Sequence, residues 1–147
     1  ADKMRDALTQ ALTFDDHVLV ESWIDGAEYT VAILGDQALP MIRLKTPNVF
    51  YDFEAKYQAN TTEYLCPCGL SAEVEAAIQT LALQAFHALG AKTWGRIDVM
   101  IDQQGQAWLL ELNTVPGMTD HSLVPMAAKQ AGLSFSQLVD RLVQLSV

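Results

Sequence analysis

Gly95-Arg96-Ile97-Asp98-Val99-Met100-Ile101-Asp102, Gln103-Gln104-Gly105 and Gln106-Ala107-Trp108-Leu109-Leu110-Glu111-Leu112-Asn113 follow one another as strand, turn and strand. Polar and apolar residues alternate from 96 to 102, the pattern of a half-buried strand, and the glycine marks the turn. A turn symmetric about Gln103 and Gln104 predicts Arg96 opposite Glu111 and Asp98 opposite Leu109. Arg96, Asp98, Glu111 and Asn113 then project from one face of the ribbon. Asp98 and Glu111 become diagonal neighbours, with Cα atoms roughly 7–8 Å apart. Parity matters here, because a single extra residue in the turn would send Asp98 to the other face.

Two carboxylates and an amide oxygen make a hard-oxygen site. Left alone the acids repel and one takes up a proton; a divalent cation relieves this. Mg²⁺ commonly takes one or two carboxylates and fills its remaining positions with water and phosphate oxygens. The same residues also describe a solvated hairpin face carrying a weak Arg96–Glu111 surface pair. Directly beyond the hairpin, Thr114-Val115-Pro116-Gly117-Met118-Thr119-Asp120-His121-Ser122 is small and hydroxyl-rich. Backbone N–H groups near Gly117 can come close to an anion, since glycine carries no side chain. Ser122-Leu123-Val124-Pro125 reads as a helix start whose free N–H groups suit a carboxylate. A cation site beside an anion-binding loop, with Arg96 between them, is the layout of phosphoryl chemistry.

Upstream, residues 1–14 predict a helix with Met4, Leu8, Ala11 and Leu12 on one face. Three strands follow: His17–Trp23, Glu28–Leu34 after an Asp25-Gly26 turn, and Ala38–Leu44 after Gly35-Asp36-Gln37. Short turns between them suggest an antiparallel meander. Lys45–Tyr64 mixes aromatics with charges and has no period, which fits either a binding lid or a surface loop containing a short strand. Ser71–Leu89 predicts a helix, with Ser71 as N-cap, Gly90 as stop and an apolar stripe of Val74, Ile78, Leu81, Ala82, Ala85 and Leu89. Ser134-Phe135-Ser136-Gln137 is a capping box, opening a helix expected to bury Phe135, Leu138, Val139, Leu142 and Val143.

The 147 residues are 50% hydrophobic and 18% charged, which fits one domain with a core of its own. Lys+Arg is 9 against Asp+Glu 18, for a net charge of −9. That balance excludes nucleic acid and an anionic membrane surface as partners, since both need clustered basic residues. No apolar run approaches the roughly 20 residues that span a bilayer, and the first residues lack the apolar core of a signal peptide. Cys66 and Cys68 flank Pro67 at a spacing unsuited to a relaxed disulfide or to a zinc site, and are expected to be reduced thiols. The compartment expected is therefore the cytoplasm.

Gly95-Arg96-Ile97-Asp98, the run from Glu111 to Thr119 and His121-Ser122-Leu123-Val124-Pro125 resemble the signature of bacterial D-alanine–D-alanine ligases, in the ATP-grasp superfamily. Gly26-Ala27-Glu28-Tyr29-Thr30-Val31, Tyr51-Asp52 and Glu54-Ala55-Lys56-Tyr57 fit the same family in the same order. The resemblance implies an α+β fold, the ATP-grasp C-terminal domain, mainly antiparallel sheet with helices packed beside it. It implies ATP-dependent joining of two D-alanines through an acyl phosphate, for peptidoglycan. Asp98, Glu111 and Asn113 match Mg²⁺ (or Mn²⁺) ligands, with Glu111 bridging two ions. Arg96 and the Gly117 N–H match the groups that steady the phosphoryl and the oxyanion. Ser122 and the Leu123 N–H match the clamp on the second D-alanine carboxylate. Glu21, Ser22 and Ile24 match the adenine-edge segment, Glu28 the ribose contact, Phe50 the adenine packing and Lys56 a phosphate contact. Tyr57 matches the lid tyrosine.

Related enzymes often carry lysine where this chain has Ser22, so the contact expected there is through the backbone. Glu54-Ala55-Lys56-Tyr57 favours D-alanine over D-lactate as second substrate. By the same resemblance residues 1–20 end the central domain and 21–147 form the C-terminal domain, with a lid at about 45–64. The family's first domain and most of its central one have no counterpart here, so the chain by itself is expected to be inactive. Its parent enzyme is expected to be a homodimer acting on D-alanine and ATP. Two other classes fit the residues without the resemblance: a stand-alone Mg-nucleotide-binding module without catalysis, and a structural domain that binds a partner chain.

Overall fold

The computed structural model describes residues 2–45 and 62–147. In chain order these give α1 (Asp2–Ala11), β1 (Gly26–Leu34), β2 (Gln37–Ala38), β3 (Ile42–Lys45), β4 (Glu63–Leu65), α2 (Ala72–Ala88), β5 (Trp94–Asp102), β6 (Ala107–Asn113), α3 (Leu123–Gln130) and α4 (Phe135–Ser146). The strands form one sheet in the order β4-β3-β1-β5-β6, with β2 paired to β1 off that path. Every pairing is antiparallel. The expected α+β architecture is the one observed.

Side-chain alternation divides the core into two clusters, one on each side of the sheet. Tyr29, Val31, Ile33, Ile97, Val99 and Ile101 pack against Ile78, Ala82 and Phe86 of α2. On the other side Ala32, Leu34, Ile42 and Leu44 pack against Leu123, Val124, Ala127 and Ala128 of α3 and Leu138 of α4. Among the described residues the second cover stops short. Farther along the same face lie Glu28, Thr30, Asp98, Met100 and Glu111, on strands β1, β5 and β6.

Several expectations need correction. His17–Trp23 is not a strand, because no neighbouring strand among the described residues pairs with it. Asp25-Gly26 is accordingly no hairpin turn. Gly26 opens β1 opposite Asp102, and a Cβ there would run into the Ile101 carbonyl. The third strand is two strands, β2 and β3, broken around Pro40. Across the break the Glu75 carboxylate accepts from the Met41 N–H (2.8 Å) and the Gln79 amide donates to the Leu39 carbonyl (2.9 Å). Two side chains four apart on α2 thus satisfy backbone groups the ladder leaves over. The α2 stripe keeps Ile78 and Ala82 buried as expected, but Phe86 joins them, while Val74 and Leu89 at its ends are exposed. In α4 the capping box is present, yet Phe135, Val139 and Val143 face solvent and Leu138 is the buried residue. Helix α1 forms as predicted but buries nothing, and Met4 is 56% exposed.

Cys66 and Cys68 are free, and burial pushes both thiols above their ordinary range, which makes them poor nucleophiles. No helix among the described residues is long and apolar enough to cross a membrane. The expected lid falls mostly on residues 46–61, outside the described ones; Tyr64 belongs to β4.

Candidate active site

The hairpin of β5 and β6 forms in a register that differs from the symmetric one. Ile101 lies opposite Ala107, Met100 opposite Trp108 and Val99 opposite Leu109; a bulge follows, and Asp98 then lies opposite Glu111. Relative to the symmetric register there is one residue of shift at the turn and a second at the bulge. Two shifts restore the parity that one would have broken, so Asp98 stays on the face it was assigned. It is directly across from Glu111 rather than diagonal to it, and Arg96 faces Asn113 rather than Glu111.

Side chains confirm the common face. Arg96 grips Asp98 with two bonds, Nε to Oδ1 at 2.7 Å and Nη2 to Oδ2 at 2.8 Å. Asn113 Nδ2 donates to Asp98 Oδ2 and to Glu111 Oε1, both at 3.1 Å. Thr30 Oγ1 donates to Asp98 Oδ1 at 3.0 Å. Asp98 is only 4% exposed, and a carboxylate so placed needs donors on both oxygens. Glu111, one strand nearer the edge, is exposed.

Among the described residues no group of three or more His, Cys, Asp and Glu is arranged to hold a metal ion. The donor set is instead two acids and an amide. It fits a hard cation that takes few protein ligands, and Asn113 already bridges the two acids, as a cation would, with the hydrogens of its NH₂.

Asp98 and Glu111 open onto a cleft of about 1110 Å³, which Glu21, Ser22, Ile24 and Glu28 also line. Four of the nucleotide-contact residues expected from the resemblance, Glu21, Ser22, Ile24 and Glu28, therefore share one cavity with two of the expected cation ligands, Asp98 and Glu111. Residues 17–25 are in neither helix nor strand, so the backbone groups of Glu21–Ile24 are not committed to a ladder. Asp25 ties this segment to the hairpin tip, accepting from Gln103 Nε2 at 2.7 Å.

Beyond β6, Gly117 and Ser122 come together. A Cβ on Gly117 would lie 2.8 Å from Ser122 Oγ, so glycine permits this approach. Ser122 is the N-cap of α3 by backbone conformation, but its hydroxyl makes no cap bond. It accepts instead from the Thr119 N–H at 2.9 Å. The structure thus brings Arg96, Asp98, Glu111 and Asn113 into contact and places Gly117 against Ser122, with Leu123 beginning the helix. Phe50, Lys56 and Tyr57 lie outside the described residues. Thr30 escaped notice in the sequence. Its signal was a single hydroxyl in the apolar run Tyr29-Thr30-Val31-Ala32-Ile33-Leu34.

The family model described as D-ala D-ala ligase C-terminus matches residues 1–144. The D-alanine–D-alanine ligase of Hydrogenovibrio crunogenus is 60% identical over 99% of this chain, and that of Alcanivorax borkumensis 62% identical over 97%. These matches take up 47% and 46% of the relatives, so the chain spans about half their length. Among solved structures, the VanG D-Ala:D-Ser ligase of Enterococcus faecalis superposes with a TM-score of 0.86 at 33% identity, over 100% of this chain and 44% of that one. The D-alanine–D-alanine ligase of Bacillus anthracis complexed with ATP gives 0.83 at 29% identity, over 99% and 46%. A family match along nearly the whole chain and a shared fold agree with the motifs on the hairpin face: this chain belongs to the D-alanine–D-alanine ligase C-terminal family.

Proposed function

We propose that this chain forms the part of a D-alanine–D-alanine ligase that holds the metal-bound nucleotide and the second amino acid. The observation that carries this is the Asp98–Glu111 pair, set across two strands beside Arg96 and Asn113 and open to the cleft lined by Glu21–Gly26 and Glu28. In the reaction the γ-phosphoryl of ATP passes to the carboxylate of one D-alanine, leaving ADP and an acyl phosphate. The amine of the second attacks the acyl carbon, and phosphate departs from the tetrahedral intermediate. Mg²⁺ (or Mn²⁺), two ions in the expected stoichiometry, supplies charge neutralisation for the phosphates. Asp98, Glu111 and Asn113 would hold it, with Asp98 buried in the sheet and Glu111 exposed at the cleft.

Arg96 sits where an anion beside the acids would meet a guanidinium. The Gly117 N–H faces the oxyanion, and Ser122 with the Leu123 N–H clamps the second carboxylate at the start of α3. The backbone of Glu21, Ser22 and Ile24 takes the adenine edge and Glu28 the ribose, while Phe50, Lys56 and Tyr57 act from a lid at about 45–64. D-Alanine is the second substrate. Residues 1–20 belong to the central domain and 21–147 to the C-terminal one, a division supported by α1 burying nothing. The parent enzyme is a cytoplasmic homodimer.

The test is D-alanine-dependent ADP release by a full-length ligase carrying this sequence. Asp98→Ala and Glu111→Ala are each expected to lower it by about 100-fold or more. Undiminished release in both variants overturns the assignment.

A further inference from the structure

We propose that Thr30 is a positioning residue, the fixed donor that holds the Asp98 carboxylate in place for a cation. This rests on the assignment of Asp98 as a cation ligand. Thr30 lies directly opposite Asp98 on β1, and Asp98 directly opposite Glu111, so the three form one row across neighbouring strands. Thr30 is 2% exposed, between Ile42 of β3 and Asp98 of β5, where valine would have the same shape and no hydroxyl to desolvate. Packing therefore does not explain the hydroxyl; its contacts do. Oγ1 lies 3.0 Å from Asp98 Oδ1 and 3.3 Å from the Ile97 carbonyl. It has one proton, and the shorter contact to the charged acceptor takes it.

The other donors to Asp98 have further duties. Arg96 covers both carboxylate oxygens in this structure, but a guanidinium recruited by a phosphoryl group loosens that grip. Asn113 covers Oδ2 from the side on which Glu111 lies, where a shared cation belongs. Thr30 alone among these donors is buried, neutral and anchored in a central strand. It pins Oδ1; Oδ2, held by Arg96 Nη2 and Asn113 Nδ2, is the oxygen that would exchange its Asn113 contact for a cation.

The test is Mn²⁺ binding by the 147-residue chain, read from the electron paramagnetic resonance signal of free Mn²⁺, with thermal unfolding of each variant recorded alongside. Thr30→Val is expected to weaken binding about tenfold, and Thr30→Ser to restore it to within about twofold. Thr30→Ala takes the place of the valine variant if that protein does not fold. Wild-type affinity in a folded Thr30→Val or Thr30→Ala chain overturns the role of Thr30, as does a folded Thr30→Ser chain that fails to rescue. Asp98→Asn separates the two levels. If it abolishes binding while Thr30→Val does not, the cation site stands and the positioning role falls. If it leaves binding unchanged, the site itself is wrong.

Discussion

The two faces of the sheet are built by the same alternating strands, yet they end differently. On the α2 side Tyr29, Val31, Ile33, Ile97, Val99 and Ile101 continue one apolar cluster from end to end of β1 and β5. On the other side Ala32 and Leu34 of β1 and Ile42 and Leu44 of β3 lie under α3 and α4, and farther along β1, β5 and β6 the polar side chains of Thr30, Glu28, Asp98 and Glu111 take over beside Met100. One face serves stability along its whole length; the other serves it for half. Among the described residues no helix covers the polar half, and its side chains bond one another: Thr30 and Arg96 to Asp98, and Asn113 to both acids. A row of this kind stabilises little by itself, since a buried charge and its partners roughly offset their desolvation. Its value is geometric.

The sharpest way to break the contrast is to exchange the two kinds of damage. Phe86→Ala, deep in the closed face, is expected to cost about 3–5 kcal/mol in urea unfolding. Glu111→Gln, on the open face, is expected to stay within about 0.5 kcal/mol, as exposed substitutions usually do. Equal costs would mean that the polar row is core rather than site. Next in size, Gly117→Ala drives a methyl against Ser122 Oγ without touching either core cluster. It is expected to lower kcat/KM for the second D-alanine by up to about 100-fold in a full-length ligase, with the unfolding midpoint little changed.

Ser134→Ala removes the side-chain half of the α4 capping box, where Ser134 Oγ accepts from the Gln137 N–H. It is expected to cost about 1 kcal/mol by denaturant unfolding and to leave Mn²⁺ affinity unchanged, because α4 covers the apolar half of that face. The smallest effect concerns Asp102 at the hairpin tip. Its pKa is held below the usual carboxylate range, first by the Trp108 indole N–H and then by the backbone N–H of Gln106. A depressed carboxyl contributes stability above its ordinary pKa and loses it as pH falls through the folded value. Trp108→Phe should therefore raise the Asp102 pKa towards the ordinary range in a side-chain carbon NMR titration. An unmoved pKa would show that the backbone donors suffice.

Much of this contrast was legible in the residues. The alternation of Arg96–Asp102, the Ser71 and Ser134 caps and the Gly90 stop report local physics, and each was found where predicted. What depended on distant partners was not. His17–Trp23 has the composition of a strand, but among the described residues no strand pairs with it. The hairpin register turned on a bulge between Asp98 and Val99 that no residue type announces. The break at Pro40 is held by Glu75 and Gln79, more than thirty positions away. The acids of the site were readable because alternation sets the face within each strand and the shifts at the turn and at the bulge cancel in parity. Thr30 was not, because its role exists only in the pairing of β1 with β5.

The most direct test follows the amide signals of the 147-residue chain as Mn²⁺ is added. With 18 acidic residues the chain offers a cation many places to land. A site at the open face requires paramagnetic broadening to begin at Thr30, Asp98, Glu111 and the Asn113 side-chain amide, and to vanish in Asp98→Asn. Broadening that spreads evenly over the acidic surface, or that survives Asp98→Asn unchanged, would contradict it.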